Sequence, residues 1–323
     1  AEDTERERHY ARFAGEQAAA QFANLEAVAY LSRALELTPD EEMAERYSLM
    51  QARERVHDVK GDREAQEQDI GAMNWLAEAL GDLQKRARAC LLRANYRETT
   101  SDYPAAIDAA QAAVRLARDA SDRHTESAAH LCWGRALWHQ AAYQDAQACV
   151  ERALALAQDI GASAVEADCQ LNLGIVQRYL GDSAGSRRHY EQALQIYRGS
   201  QDRWGEAYAL SNLGAISYSE EEYGRSRDYL ESSLQIRHEI GDRRGEGIAV
   251  GNLGVLYEFL GQYDKAREYY ERALGISREV GNRRGEGWHL ADLGLLYYDI
   301  GSEERAIESC VRALSLAQQL GDA

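Results

Sequence analysis

The chain repeats itself every forty residues. Segments beginning at Asp202, Asp242 and Asn282 align without gaps, and they share the cores Asn212-Leu213-Gly214, Asn252-Leu253-Gly254 and Asp292-Leu293-Gly294. Asn172-Leu173-Gly174 stands one period earlier, and Cys132-Trp133-Gly134 holds the same place more weakly. A second mark falls on the same grid: Gly81-Asp82, Ser121-Asp122, Gln201-Asp202, Gly241-Asp242, Gly281-Asn282 and Gly321-Asp322. A fixed period of this length means one supersecondary unit stacked many times, each copy covering the apolar face of the one before it.

The unit reads as two amphipathic helices. Between Gly247 and Glu279, the first is predicted to bury Leu253, Gly254 and Tyr257, and the second Ala266, Tyr270 and Ala273. Those spacings place each set on one helical face. The turn between them falls at Gly261-Gln262. Gly254 and Ala266 let the helices approach, Ala273 lets the next unit dock, and Tyr257 and Tyr270 fill the gaps. Composition agrees: Ala, Leu, Glu, Gln and Arg dominate, and the only prolines are Pro39 and Pro104. These residues lose little entropy in a helix, so the expected fold is all-α. Asp102 ahead of Pro104 reads as a helix cap, and the glycines at 61, 81, 181, 241, 261, 281, 301 and 321 suit helix exits with positive φ.

Leu-Gly followed by Tyr, then Ala, Tyr and Ala at these intervals, resembles the tetratricopeptide repeat (TPR). The first unit, with Gly15, Ala27, Leu31, Ala34 and a closing Pro39, is similar to the standard 34-residue form. The longer units resemble those of kinesin light chains, spindle-orientation adaptors and the TPR arms of bacterial signal-transduction (STAND-type) ATPases. The likeness is closest over 122–321, looser over 82–121 and 8–41, and weakest over 42–81, where Glu54, Gln66 and Met73 occupy small-residue slots. That second pair is expected to be distorted or to mark a change in the superhelix path. The resemblance implies a right-handed superhelical solenoid of about eight helix-turn-helix repeats. It would be a single continuous array over 1–323: a standard-length repeat at 1–41, a degenerate one at 42–81, and six 40-residue repeats over 82–321.

Charge and motifs narrow the function. A net charge of −17 with no long basic run repels a phosphate backbone, so nucleic acid is not an expected partner, and a basic or neutral peptide is easier to accommodate. No run of 18 apolar residues could span a bilayer, and no membrane partner is expected. Five cysteines, odd in number and without a CxxC pair, read as free thiols of a cytoplasmic protein. Only three lysines against many arginines suggest a bacterial origin. The missing initiator Met, and a last Gly-Asp that resembles the start of another repeat, suggest a piece of a longer protein. Gly181-Asp182-Ser183-Ala184-Gly185 matches a nucleophile-elbow pattern, but it aligns with the inter-helix turn at Gly261. The eight histidines are scattered away from any cysteine at ligand spacing. No enzymatic activity, cofactor or metal is expected.

The first helix of each unit lines the concave groove in the family that the chain resembles. Five residues before the Leu of each Leu-Gly pair stand Tyr208, Ile248 and Trp288. They form either an exposed interaction stripe or side chains folded onto neighbouring elements. Just before that Leu stand Asn172, Asn212, Asn252 and Asp292. An amide offers both donor and acceptor, so this row could pair with a ligand backbone or tie repeat to repeat. In peptide-binding TPR domains Asn at this slot clamps the ligand, and the resemblance implies that role for Asn172, Asn212 and Asn252. Asp292 would repel an acidic ligand, so the clamp should centre on 172–252. Trp138, Arg178, Tyr218 and Tyr298 edge the same groove, Arg178 being the candidate partner for a carboxylate. The arginine pairs at 243–244 and 283–284 read as solvated loops on one rim. The leading expectation is a protein- or peptide-binding scaffold or sensor arm of a larger signalling protein. A receptor for a short signalling peptide, or a spacer that self-associates end to end through Leu314 and Leu320, are the alternatives.

Overall fold

A computed structural model describes residues 2–320, and among them every regular element is an α-helix. Sixteen helices follow in pairs. The first four pairs are α1 (Glu2–Ala20) with α2 (Asn24–Leu37), α3 (Met43–Lys60) with α4 (Arg63–Ala79), α5 (Leu83–Thr99) with α6 (Tyr103–Asp119), and α7 (Arg123–His139) with α8 (Tyr143–Ile160). Then come α9 (Ser163–Tyr179) with α10 (Ser183–Ser200), α11 (Arg203–Ser219) with α12 (Tyr223–Glu239), α13 (Arg243–Phe259) with α14 (Tyr263–Glu279), and α15 (Arg283–Asp299) with α16 (Glu303–Leu320). The chain forms two compact units, Ala1–Cys169 and Gln170–Ala323, with the division falling inside α9. In the first, each helix from α1 to α8 packs on the next, and in the second the same holds from α10 to α16.

The helix ends follow from the punctuation read in the sequence. Asp62, Asp82, Asp102, Asp122, Asp182, Asp202, Asp242 and Asn282 each cap a helix, the side chain accepting a hydrogen bond from the backbone N–H three residues on. The would-be nucleophile elbow is such a turn: Gly181 is left-handed and Asp182 caps α10 through the Gly185 N–H. The expected glycines from 61 to 301 all have positive φ, while Gly321 lies outside the described residues. Ser101, Ser121, Ala141, Gln201 and Glu221 take the same conformation, so a left-handed residue recurs every twenty positions. It is imposed by the turn: at Gly281 and Asn282 the two N–H groups return to the Arg278 and Ser277 carbonyls, which closes the helix.

The core is built as the repeat predicts. Leu253, Ala266, Tyr270 and Ala273 are all buried, and a Cβ placed on Gly254 would lie 2.6 Å from the Tyr270 ring. The same pairing of a glycine with a side chain sixteen residues on recurs at Gly15–Leu31, Gly134–Val150, Gly174–Tyr190 and Gly214–Leu230. In α3 and α4 the large residues at small-residue slots are buried too, Glu54 at 3% exposure and Met73 at 0%. There Gln66 donates to Glu54 at 2.8 Å, and Arg53 forms a two-pronged pair with Asp69. Hydrogen bonding thus satisfies Glu54, Gln66 and Asp69 where the other pairs rely on small apolar contacts.

Candidate functional site

The second unit carries a cleft made by helices α11 and α13, the end of α9 and parts of α12. Along α11, Trp204, Tyr208, Ser211, Asn212, Ala215 and Tyr218 fall at helical spacing on one face, and along α13 so do Arg244, Ile248, Asn252 and Val255. Two adjoining compartments result. The larger, about 640 Å³, is lined by Trp204, Tyr208, Asn212, Ile248, Arg244 and Asn252, among others. The smaller, about 400 Å³, is lined chiefly by Tyr218, Leu230, Val255 and Leu256. Arg178, Ala215 and Asn252 border both.

Each wall has its own chemistry. Trp204 and Tyr208 stack with ring centroids 5.4 Å apart, which makes a flat aromatic surface beside the exposed Ile248. Asn212 donates to the carbonyl of Tyr208 at 3.0 Å, within its own helix, and so keeps its acceptor and one donor for a ligand. Asn252 is half-buried and, among the described residues, its amide has no hydrogen-bond partner. Neither amide therefore ties one repeat to the next. Beneath the cleft Ser211 meets Ser233, Ser233 receives the Nε–H of Arg237, and Arg237 pairs with Asp242 at 2.7 Å. Arg237 is buried beside Gly245, at a place where a Cβ would collide with its guanidinium.

Of the residues singled out in the sequence, the cleft gathers Tyr208, Ile248, Asn212, Asn252, Arg178 and Tyr218. Asn172 is half-buried on α9 and does not line it. Trp288 and Tyr298 are exposed on α15, outside the cleft, and Asp292 on the same helix lies 3.6 Å from His289. Trp138 belongs to the first unit, edge-on to His139. The reading of both arginine pairs as loops is corrected: Arg243, Arg244, Arg283 and Arg284 stand in the first turns of α13 and α15. Arg243 binds Glu246 at 2.6 Å and Glu279 at 2.5 Å, while Arg244 opens onto the cleft. Trp204 and Arg237 were missed, and Arg244 was read only as a solvated rim residue. The signal for Trp204 and Arg244 was the shared Asp-Arg-x-Gly-Glu string at 202–206 and 242–246, whereas Arg237, aligned with Tyr197 and Ser277, had none.

An apolar wall, the unpartnered amide of Asn252 and exposed cations line one cleft, as in a repeat protein of the binding class. The family model described as tetratricopeptide repeat matches residues 125–199, 205–279 and 248–319, more than half of the sequence. The chain belongs to the tetratricopeptide repeat family. A model described as anaphase-promoting complex subunit 5 matches the shorter stretch 84–140. No curated protein matches the sequence.

Solved structures share the fold at low identity. The apo form of RapI is 12% identical with a TM-score of 0.67, over 86% of this chain and 99% of that one. A Rap protein complexed with competence and sporulation factor is 14% identical with a TM-score of 0.66, over 99% of each chain. A signal transduction ATPase with numerous domains and a tetratricopeptide repeat sensor, from Pyrococcus horikoshii, is 12% identical with a TM-score of 0.69. That match covers 92% of this chain and 45% of the ATPase.

Proposed function

We propose that the second unit captures an extended polypeptide segment in the α11–α13 cleft, as the binding or sensor arm of a larger signalling or regulatory protein. The observation that carries this is Asn252, whose unpartnered amide lines the same compartment as an aromatic wall and two exposed arginines. A peptide backbone presents alternating N–H and C=O groups, and such an amide meets both without regard to sequence. The sensor role draws on the ATPase whose repeat-bearing portion shares this fold. In this reading the protein binds and does no chemistry, needs no cofactor or metal, engages neither nucleic acid nor membrane, and works in the cytoplasm of a bacterium. No described helix is long and apolar enough to cross a membrane.

The test is capture from a lysate of the source organism by the wild type and by Asn212→Ala/Asn252→Ala side by side. The double variant should lose the retained protein while its melting temperature stays within a degree or two, because neither amide bridges repeats. A large drop in melting with capture unchanged would show that the amides are structural. A second reading, a receptor for a short signalling peptide, is favoured by the fold shared with the Rap protein complexed with competence and sporulation factor. Trimming the captured ligand separates the two: a handful of residues would retain full affinity only under the second.

A further inference from the structure

The two compartments of the cleft communicate across Ala215. On the repeat grid that position holds Ile175, Ala215, Val255 and Leu295, so three units place a branched aliphatic side chain where this one has a methyl. Ala215 is half-buried and borders both spaces together with Arg178 and Asn252. Beyond it the smaller compartment is mostly apolar, faced by Tyr218, Leu230, Val255 and Leu256. On the other side the sign of the charge is local. Arg178 and Arg244 are exposed and, among the described residues, neither has an ion-pair partner. The one carboxylate lining the larger compartment, Asp242, is already held by Arg237 and by the Gly245 N–H. A chain with a net charge of −17 thus presents a cationic cleft, which reverses for this surface the preference that the overall charge implied.

We infer that Ala215 determines which ligands the cleft accepts: an acidic segment bearing one bulky apolar side chain, which passes over Ala215 into the smaller compartment while flanking carboxylates meet Arg178 and Arg244. This rests on the peptide-binding reading of the cleft. A leucine at 215 would fill the neck, and excluding an apolar group from a fitted pocket changes affinity by about tenfold or more. Valine, the residue of the neighbouring repeat, should act in the same direction and more weakly.

The experiment uses fluorescence anisotropy with labelled synthetic peptide pools that combine acidic or basic flanks with a central Phe or a central Ala. The acidic Phe pool should bind wild type most tightly and weaken as salt is raised. Ala215→Leu should reduce that binding about tenfold or more, weaken the acidic Ala pool far less, and melt like wild type. Arg178→Gln/Arg244→Gln should remove the preference for acidic flanks. Equal binding of the acidic Phe pool by Ala215→Leu and wild type, or a preference for basic flanks, overturns the inference. If pools bind without discrimination but are lost in Asn212→Ala/Asn252→Ala, the cleft reading survives and this one fails. If no pool binds, or the double variant binds unchanged, both fail.

Discussion

Gly254 and Gly275 sit in adjacent helices and make opposite demands on a side chain. A Cβ on Gly254 would lie 2.6 Å from two atoms of the Tyr270 ring, which is 1% exposed and hemmed in by Leu253, Leu274 and Leu293. A Cβ on Gly275 would meet nothing within 4 Å. Replacing glycine by alanine inside a helix contributes about 1 kcal/mol of stability from backbone entropy alone. At Gly275 nothing opposes that gain, so Gly275→Ala should stabilise by about that amount. At Gly254 the ring must move, and overpacking a close-packed core costs about 1–3 kcal/mol, so Gly254→Ala should destabilise on balance. Urea denaturation of the two variants, compared by midpoint at equal slope, reads both signs. Equal shifts in one direction would mean that helix approach is not what holds glycine at 254.

Four of the helix pairs are also tied by a polar strut that recurs with the repeat, an ion pair in three and a hydrogen bond to an amide in the fourth. The arginine that opens the first helix reaches the end of the second: Arg203 to Glu239 at 2.6 Å, Arg243 to Glu279 at 2.5 Å, Arg283 to Gln319 at 2.7 Å, and Arg123 to Asp159. A carboxylate three residues after it binds back to the preceding helix, as Glu206 does to Arg198 and Glu286 to Arg278, both at 2.9 Å. Glu246 is 1% exposed. Burial works to raise its carboxyl, but hydrogen bonds from Arg243 and Arg272 outweigh it and hold the group below its usual range. Its folded value being depressed, the stability it contributes is present above the ordinary carboxylate range and is lost as pH falls through the lowered one. Burial raises Glu54 and Glu258, against hydrogen bonds from Gln66 and Tyr270, and these act with the opposite sign. Glu246→Gln should therefore cost about 1–3 kcal/mol at neutral pH and flatten the acid limb of the stability profile. A neutral-pH cost that persists unchanged in acid would contradict this account. The helix pairs were legible in the sequence because the small and large residues that pack them recur at fixed spacing within forty positions. The struts were not, since Arg243 and Glu279 lie 36 residues apart on different helices and each alone reads as a solvated charge. Part of the cleft escaped for a different reason. Asn212 and Asn252 follow the repeat, whereas Ala215 and Arg237 matter by departing from it.

The exposed face of α16 and the charge of the whole act in opposite directions on any joining of copies. In the earlier repeats the position of Ile307 is Gln147, Arg187, Arg227 or Arg267, and that of Val311 is Glu151, Glu191, Glu231 or Glu271. In α16 both are aliphatic, and with Leu314 they form a stripe at helical spacing, exposed by 65%, 59% and 58%. Such a patch on a soluble surface favours self-pairing, because each copy removes the other's apolar area from water. The net charge of −17 opposes it over distances of about 10 Å at 0.1 M salt, and that barrier shrinks as ionic strength rises. Association through this face should therefore strengthen with salt, where a contact between charged struts would weaken. Ile307→Arg/Val311→Glu restores the pattern of the preceding repeat and should leave a monomer at every salt concentration, with the fold intact because both side chains point outward. Sedimentation velocity across a concentration series, at low and high salt, measures each of these. Association that survives the double variant, or that falls with added salt, would place the contact on some other surface than α16.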